Sequence, residues 1–432
     1  MGGSMGLDIS GTAKTAGRAK EALLRIAEYF DEHFGDDLVG EPNIIEDGRG
    51  LLVSFSTTSE PIAFEAVDGA TIEVQCRWNQ LGPGYCVFVW ERLRELAEFG
   101  LTWEELDAET EEDELTHEGA IRAARAWLEA LCSGVLQDSP EDMSGTRLCM
   151  PMHWAPHDVP FAITPLGPRD RAWVESVAED GSAGDDFFAW WQPDLGPAAK
   201  LQLAIATMWS NVPWSPPAVE DDFVAIGMAL EWLERGYDED GGLPYPWPEW
   251  SEMISNFNSA LDEIPGDHER PRMAEMVHDR ACGRAGTIGY RRGSIKHMIG
   301  GGWSLTLPGS FGTALEEDED HSAWLASDGS MTIRVSPALA PNDMPGTKEE
   351  FAEATAEEED PGVEWESDTC IGRGDWGEQD EDGQTVLMLQ GISMADNRSV
   401  AFVSIMFGDP EFRERAMEIW QSLRCEAAFG DD

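Results

Sequence analysis

The chain has 432 residues, with 84 Asp plus Glu against 29 Lys plus Arg, for a formal net charge of -55. A surface that negative repels phosphate backbones and anionic lipid, so the expected partner is a protein, with no nucleic acid and no membrane. With 42% hydrophobic residues, 18 Trp and 17 Phe there is core material for more than one domain, which places the acids on folded surfaces and in loops rather than in a disordered tail.

From Gly17 to Phe34, the residues Ala22, Leu23, Ile26, Ala27, Phe30 and Phe34 recur at helical spacing and predict an amphipathic first helix. Strands are read at Leu51–Ser56, Ile62–Val67 and Thr71–Trp78, separated by the turn signals Asp47-Gly48 and Asp68-Gly69. Helical period returns from Tyr85 to Phe99. After the acidic stretch Asp107–Glu114, a further helix runs from His117 to Leu136 with Ala120, Ala123, Trp127 and Leu131 on one face. Residues 1–138 thus read as a helix–sheet–helix α+β unit.

Residues 139–283 concentrate Trp and Pro. Helices are read at Asp185–Trp191, Pro197–Trp209, Val219–Tyr237 and Pro248–Leu261, with prolines at their ends, where a missing N–H costs least. Ile226, Ala229, Leu230 and Leu233, then Tyr237, the turn Asp240-Gly241-Gly242, and Pro246-Trp247 opening a second helix, resemble one tetratricopeptide hairpin. No second copy follows at a period of about 34 residues, which argues against a binding solenoid.

Residues 284–432 change to strands and loops. Ile288–Arg291 reads as a short strand, and Gly300-Gly301-Gly302 leads into the strand Trp303–Pro308. Further strands are read at Ser322–Ala326, Met331–Val335, Val363–Glu366, Thr385–Ile392 and Val400–Met406, with helices at Lys348–Glu358 and Pro410–Arg424. The strand Trp303-Ser-Leu-Thr-Leu-Pro308, the strand Met331-Thr-Ile-Arg-Val335, a central helix, a run of antiparallel strands and the terminal Ile419-Trp420-Gln421-Ser422-Leu423-Arg424 resemble the PsbP-like superfamily. That resemblance covers about a third of the chain. It implies an antiparallel sheet with helices and, since the bacterial members include Eag-type chaperones of type VI secretion effectors and lipoproteins, protein binding more than catalysis.

The seven cysteines, Cys76, Cys86, Cys132, Cys149, Cys282, Cys370 and Cys425, form no CxxC pair and are odd in number, as expected of reduced thiols in a cytoplasm. No basic-then-apolar leader and no long apolar run appears, so neither a signal peptide nor a membrane span is predicted. Cys149, His153 and His157 are spaced by four, with Asp158 adjacent, as metal ligands on one helical face would be. Pro151 and Pro156 interrupt that helix, and the competing reading is an aromatic-rich loop with incidental polar residues. No GxSxG elbow and no phosphate loop is present. The basic island Arg291–His297 reads either as pairing with neighbouring acidic loops or as gripping an acidic ligand. Trp209 and Trp214, with Tyr245, Trp247 and Trp250, read either as a pocket for an extended peptide or as a Trp-filled core.

The sequence therefore predicts an α+β multidomain protein: an N-terminal α+β unit, a mainly helical Trp/Pro-rich middle and a PsbP-like C-terminal sheet. The expected function is non-enzymatic protein binding without a cofactor, as an immunity protein, effector chaperone or other component of a bacterial conflict or defence system. The alternatives are an enzyme whose metal- or Cys/His-dependent site is assembled from distant residues, and an acidic decoy or nucleic-acid mimic for a basic partner.

Overall fold

A computed structural model describes residues 6–45, 48–110, 115–138, 143–150, 154–156, 159–261, 269–318, 321–341, 344–355, 362–381, 384–396 and 398–426. The first element is a strand, β1 (Asp8–Thr15), ahead of the expected helix α1 (Ala19–Phe34). Strands β2 (Asn43–Ile45), β3 (Gly50–Val53), β4 (Ile62–Ala66) and β5 (Thr71–Arg77) follow, then helix α2 (Pro83–Glu95) and strand β6 (Leu101–Asp107). They build a six-stranded sheet in the order β2-β3-β4-β5-β1-β6, antiparallel throughout. The register Ile9↔Cys76, Gly11↔Val74, Ala13↔Ile72 puts the buried residues of β1 and β5 on one face, where Ala22, Leu23, Ile26 and Phe30 of α1 are also buried. Burial of a side chain the size of Phe30 contributes roughly 1.5–3 kcal/mol.

The middle of the chain contributes α3 (His117–Asp138), short strands β7 (Trp154–Pro156), β8 (Ala162–Thr164) and β9 (Gly167–Arg169), and helices α4 (Arg171–Glu179), α5 (Pro197–Ser210), α6 (Glu220–Glu239), α7 (Trp247–Ala260) and α8 (Ala274–Ala281). The helix expected at Asp185–Trp191 is instead a 3-10 segment at Gly181–Phe187 that gives way to extended chain at Phe188. That extended chain carries the fully buried Trp190 against Phe55, Tyr85 and Phe88, with ring centroids 6.3, 5.3 and 4.9 Å away. Trp190 N donates to Leu81 O at 2.8 Å and Gly84 N donates to Trp190 O at 3.0 Å, a pairing that a helix would have used internally. Buried residues from Ile9 to Val277 consequently form one contiguous hydrophobic cluster, shared by the N-terminal sheet and the helical middle.

A second cluster runs from Ile299 to Leu423. The segment read as a strand at Ile288–Arg291 is a 3-10 turn, Tyr290–Arg292, and the strand begins later, as β10 (Ser294–Gly300). It pairs with β11 (Trp303–Pro308), and together with β7 and β19 (Arg424–Cys425) they form a four-stranded sheet ordered β19-β11-β10-β7. The remaining strands are β12 (Gly312–Asp318), β13 (His321–Ser327), β14 (Met331–Leu339), β15 (Val363–Glu366), β16 (Cys370–Glu381), β17 (Gln384–Ala395) and β18 (Ser399–Phe407). They make a seven-stranded antiparallel sheet, β12-β13-β14-β18-β17-β16-β15. Helix α10 (Arg413–Gln421) covers one face: the Trp420 indole lies over Gly391 and Gly374, where a Cβ would come within 2.4 and 2.9 Å of the ring, and its Nε1 donates to Ser393 Oγ at 2.9 Å. Helix α9 (Lys348–Thr355) covers only one end of the other face, packing Phe351 with Ile371, Met394 and Val400.

Candidate functional site

Of the residues with metal-ligand spacing, His153, His157 and Asp158 lie outside the described residues. Cys149 is partly buried and engages Asn79, whose Nδ2 donates to Sγ at 3.5 Å, and burial pushes its thiol well above the ordinary range, away from thiolate chemistry. Among the described residues no group of three or more His, Cys, Asp or Glu is placed to hold a metal ion.

The aromatic residues separate into two groups, and no ring contact joins them among the described residues. Tyr245, Trp247 and Trp250 cluster with Tyr237. Trp247 stacks on Trp250 at 5.4 Å, Tyr237 meets Trp247 at 5.7 Å, and the Arg280 guanidinium caps Trp247 at 4.6 Å. Their faces are occupied by one another and lock α6, α7 and α8 together. Trp209, at the end of α5, packs on Tyr290 at 4.9 Å, and Tyr290 Oη is bonded to both the N–H and the carbonyl of Thr164 at 3.0 Å. Trp214 is placed differently. It sits in the α5–α6 connection with φ +57, in the left-handed region that costs a non-glycine residue roughly 1–2 kcal/mol. Gly289, against its indole edge, leaves no room for a side chain.

Trp214 also meets the basic island. The Arg292 guanidinium lies 3.7 Å from the centre of its ring and forms a two-point pair with Glu252 of α7 at 2.7 and 3.1 Å. Arg291, 8% exposed, pairs with Asp222 in the first turn of α6 and donates to the carbonyls of Asn211, Gly309 and Phe311, clamping the helical part to the C-terminal part. Lys296 pairs with Glu426. The island's cations are therefore met by helix residues and by the chain after β19, rather than by the acidic loops expected from the sequence. His297, 4% exposed with Nε2 unpartnered, faces Trp324 at 5.4 Å, and burial, with the Arg291 charge adding to it, lowers its pKa to about 3. Pro213–Ser215, Arg291–Ser294 and Pro308–Ser310 enclose a cavity of about 400 Å³ at this junction.

A groove of about 470 Å³ crosses the face of the seven-stranded sheet left open beside α9. The register aligns Ser336, Phe402, Ile392 and Arg373 in one row and Arg334, Ser404, Gln390 and Asp375 in the next. Phe402, at the centre, is 44% exposed. Arg334 pairs with Glu316 at 3.1 Å, and Arg373 pairs with Glu364 at 3.0 Å while donating to Thr355 O at the end of α9 at 2.6 Å. An apolar floor with charged walls already held in place can accept a polypeptide without much side-chain ordering. Sequence reading missed this groove. Its one signal, Phe402 at a polar-face position of an alternating strand, needs the strand's facing to be known.

No family model matches the chain, and no curated protein matches it. Among solved structures, the chain is similar to a crystal structure from Bacteroides thetaiotaomicron VPI-5482, at 14% identity and TM-score 0.26 over 32% of this chain, spanning about half (49%) of that chain. It is also similar to the solution structure of cyanobacterial PsbP (CyanoP) from Synechocystis sp. PCC 6803, at 11% identity and TM-score 0.15, over 29% of this chain and 87% of that one. At these TM-scores neither neighbour carries an argument about fold or function. Among the described residues no helix is long and apolar enough to cross a membrane.

Proposed function

We propose that this chain is a non-enzymatic binding protein that receives a polypeptide segment of a partner on the open face of its C-terminal sheet. The observation that carries the reading is Phe402, exposed in a groove of about 470 Å³ beside the polar row Arg334, Ser404, Gln390 and Asp375. An exposed aromatic on a sheet face, with apolar neighbours on one side and hydrogen-bonding groups on the other, has the composition of a protein-binding hot spot. Seven cysteines with no CxxC pair, of which Cys76, Cys86, Cys132 and Cys370 are buried as thiols, suit a reducing compartment, the cytoplasm in this reading. The net charge of -55 argues against nucleic acid and anionic membrane as the occupant. Within this class the chain acts as an effector chaperone, an immunity protein or a similar component of a bacterial conflict or defence system.

The test places a photo-crosslinking residue at position 402 and, as a control, at the exposed Val67 in full-length protein expressed in its native host cells. A discrete polypeptide adduct at 402, absent at 67, is expected. Loss of that difference, or no adduct at either position, sinks the reading.

A further inference from the structure

We infer that the cavity at the open end of the β10–β11 hairpin is an oxyanion site that takes a single carboxylate or phosphate group. It is independent of the groove around Phe402 and stands or falls separately.

The first reason is charge. The chain carries 84 acids, and three other cavities each include carboxylates in their lining: Glu231, Glu234 and Glu269 with three arginines beside α6, Glu65, Glu73 and Glu105 on the N-terminal sheet, and Asp375 with two arginines in the groove. Among the described residues no carboxylate lines the junction cavity, while two arginines and three serines do. Their counter-charges, Asp222 and Glu252, approach the guanidinium groups from outside the lining.

The second reason is the donor inventory. Arg291 spends all its N–H groups on Asp222 and three carbonyls, so it is a clamp with nothing left to offer. Arg292 differs. Its Nε donates to Ile288 O at 2.6 Å and one N–H from each terminal nitrogen goes to Glu252, which leaves two N–H groups of the fork undirected. Ser215 belongs to the same lining, and its hydroxyl is buried with no hydrogen-bond partner among the described residues, a state that costs about 1–3 kcal/mol unless a ligand relieves it. Ser294 and Ser310 add two hydroxyls to the lining, and the Cα of Gly293 faces open space, with nothing within 4 Å of where a Cβ would stand.

The third reason is strain. Trp214 holds a left-handed backbone, and its ring fixes the Arg292 plane at 3.7 Å, so the guanidinium edge is oriented before any ligand arrives. Oriented N–H donors with hydroxyl donors in the same lining, and no acid among its described residues, are the elements of an oxyanion site. The part-exposed pair with Glu252 uses one N–H of each terminal nitrogen, so a ligand oxygen takes a spare N–H without displacing Glu252.

The experiment is calorimetric titration of the full chain with sodium phosphate and, separately, with sodium acetate, each at constant ionic strength against sodium chloride so that screening of the -55 charge cancels. Binding of one equivalent of phosphate, acetate or both is expected, and the preference assigns the natural group as phosphoryl or carboxyl. Ser215→Ala and Arg292→Gln each weaken it about tenfold, the loss of one charge-assisted hydrogen bond or more, whereas Arg334→Gln in the sheet groove leaves it unchanged. Should Arg292→Gln fail to fold, Ser215→Ala, which removes one unpartnered hydroxyl, carries the test alone. No binding of either anion by the unaltered chain, or unchanged binding by Ser215→Ala, overturns the inference.

Discussion

His297 makes the stability of this protein acid-sensitive in a way that one substitution should remove. Its imidazole is buried between β7 and β11, with Trp154 and Leu305 as cross-strand neighbours and Trp324 against its ring. Burial, with the nearby Arg291 charge adding to it, lowers its pKa from the ordinary 6.5 to about 3. Between those two values the unfolded chain binds a proton that the folded chain refuses. Stability is therefore fully present above pH 6.5 and is lost progressively as the pH falls toward 3. At about 1.36 kcal/mol per unit, roughly 2 kcal/mol is lost between pH 7.5 and 5. Urea unfolding of the native chain and of His297→Leu at both pH values measures it, because the many carboxylates contribute equally to the two proteins and cancel in the difference. His297→Leu should match or exceed the native chain at pH 7.5, since the unpartnered Nε2 is gone, and should lose about 2 kcal/mol less on acidification. Equal losses in the two proteins would refute the reasoning.

Two further outcomes follow from the junction and the thiols. Arg291→Met strands the buried Asp222 carboxylate and deprives the carbonyls of Asn211, Gly309 and Phe311 of their donor, so urea unfolding should show a loss of about 3–5 kcal/mol, much of it restored by adding Asp222→Leu; a loss below about 1 kcal/mol is incompatible with the clamp. Limited alkylation followed by peptide mass spectrometry should find Cys282, the exposed thiol, modified well before Cys76, Cys86 and Cys132, whose thiols burial holds far above neutral pH. Labelling of Cys132 at the rate of Cys282 would contradict that ordering.

The helices that carry a full apolar stripe were legible: α1, α3, α5, α6, α7 and α10 lie where the period of about 3.6 places them. Strands whose inward positions are small or polar were not. β1 points Ile9, Gly11 and Ala13 at the core, too little apolar mass to register as alternation, yet it stands between β5 and β6 in the sheet. β16, Cys370–Glu381, shows no strand alternation because its inward positions include Gly374, which makes room for Trp420 from the terminal helix. α4 and α8 have apolar inward residues but are each under three turns long, too short for a period of about 3.6 to show.

What the sequence determined by itself is what depends on composition and local period: the net negative charge, the α+β class and the periodic helices. Tertiary structure decided the sites. Trp214 and Arg292 are 78 positions apart and Arg291 and Asp222 are 69 apart, so neither the stacked guanidinium nor the saturated clamp exists in any local window. Two adjacent arginines, indistinguishable by charge, acquire opposite roles because a 3-10 turn points one into the junction, where every N–H finds a partner, and leaves the other at a cavity rim with two N–H groups to spare. Direction and burial set how many of a group's bonds are already made. That count, which the tertiary fold fixes, separates a structural residue from one available to a ligand.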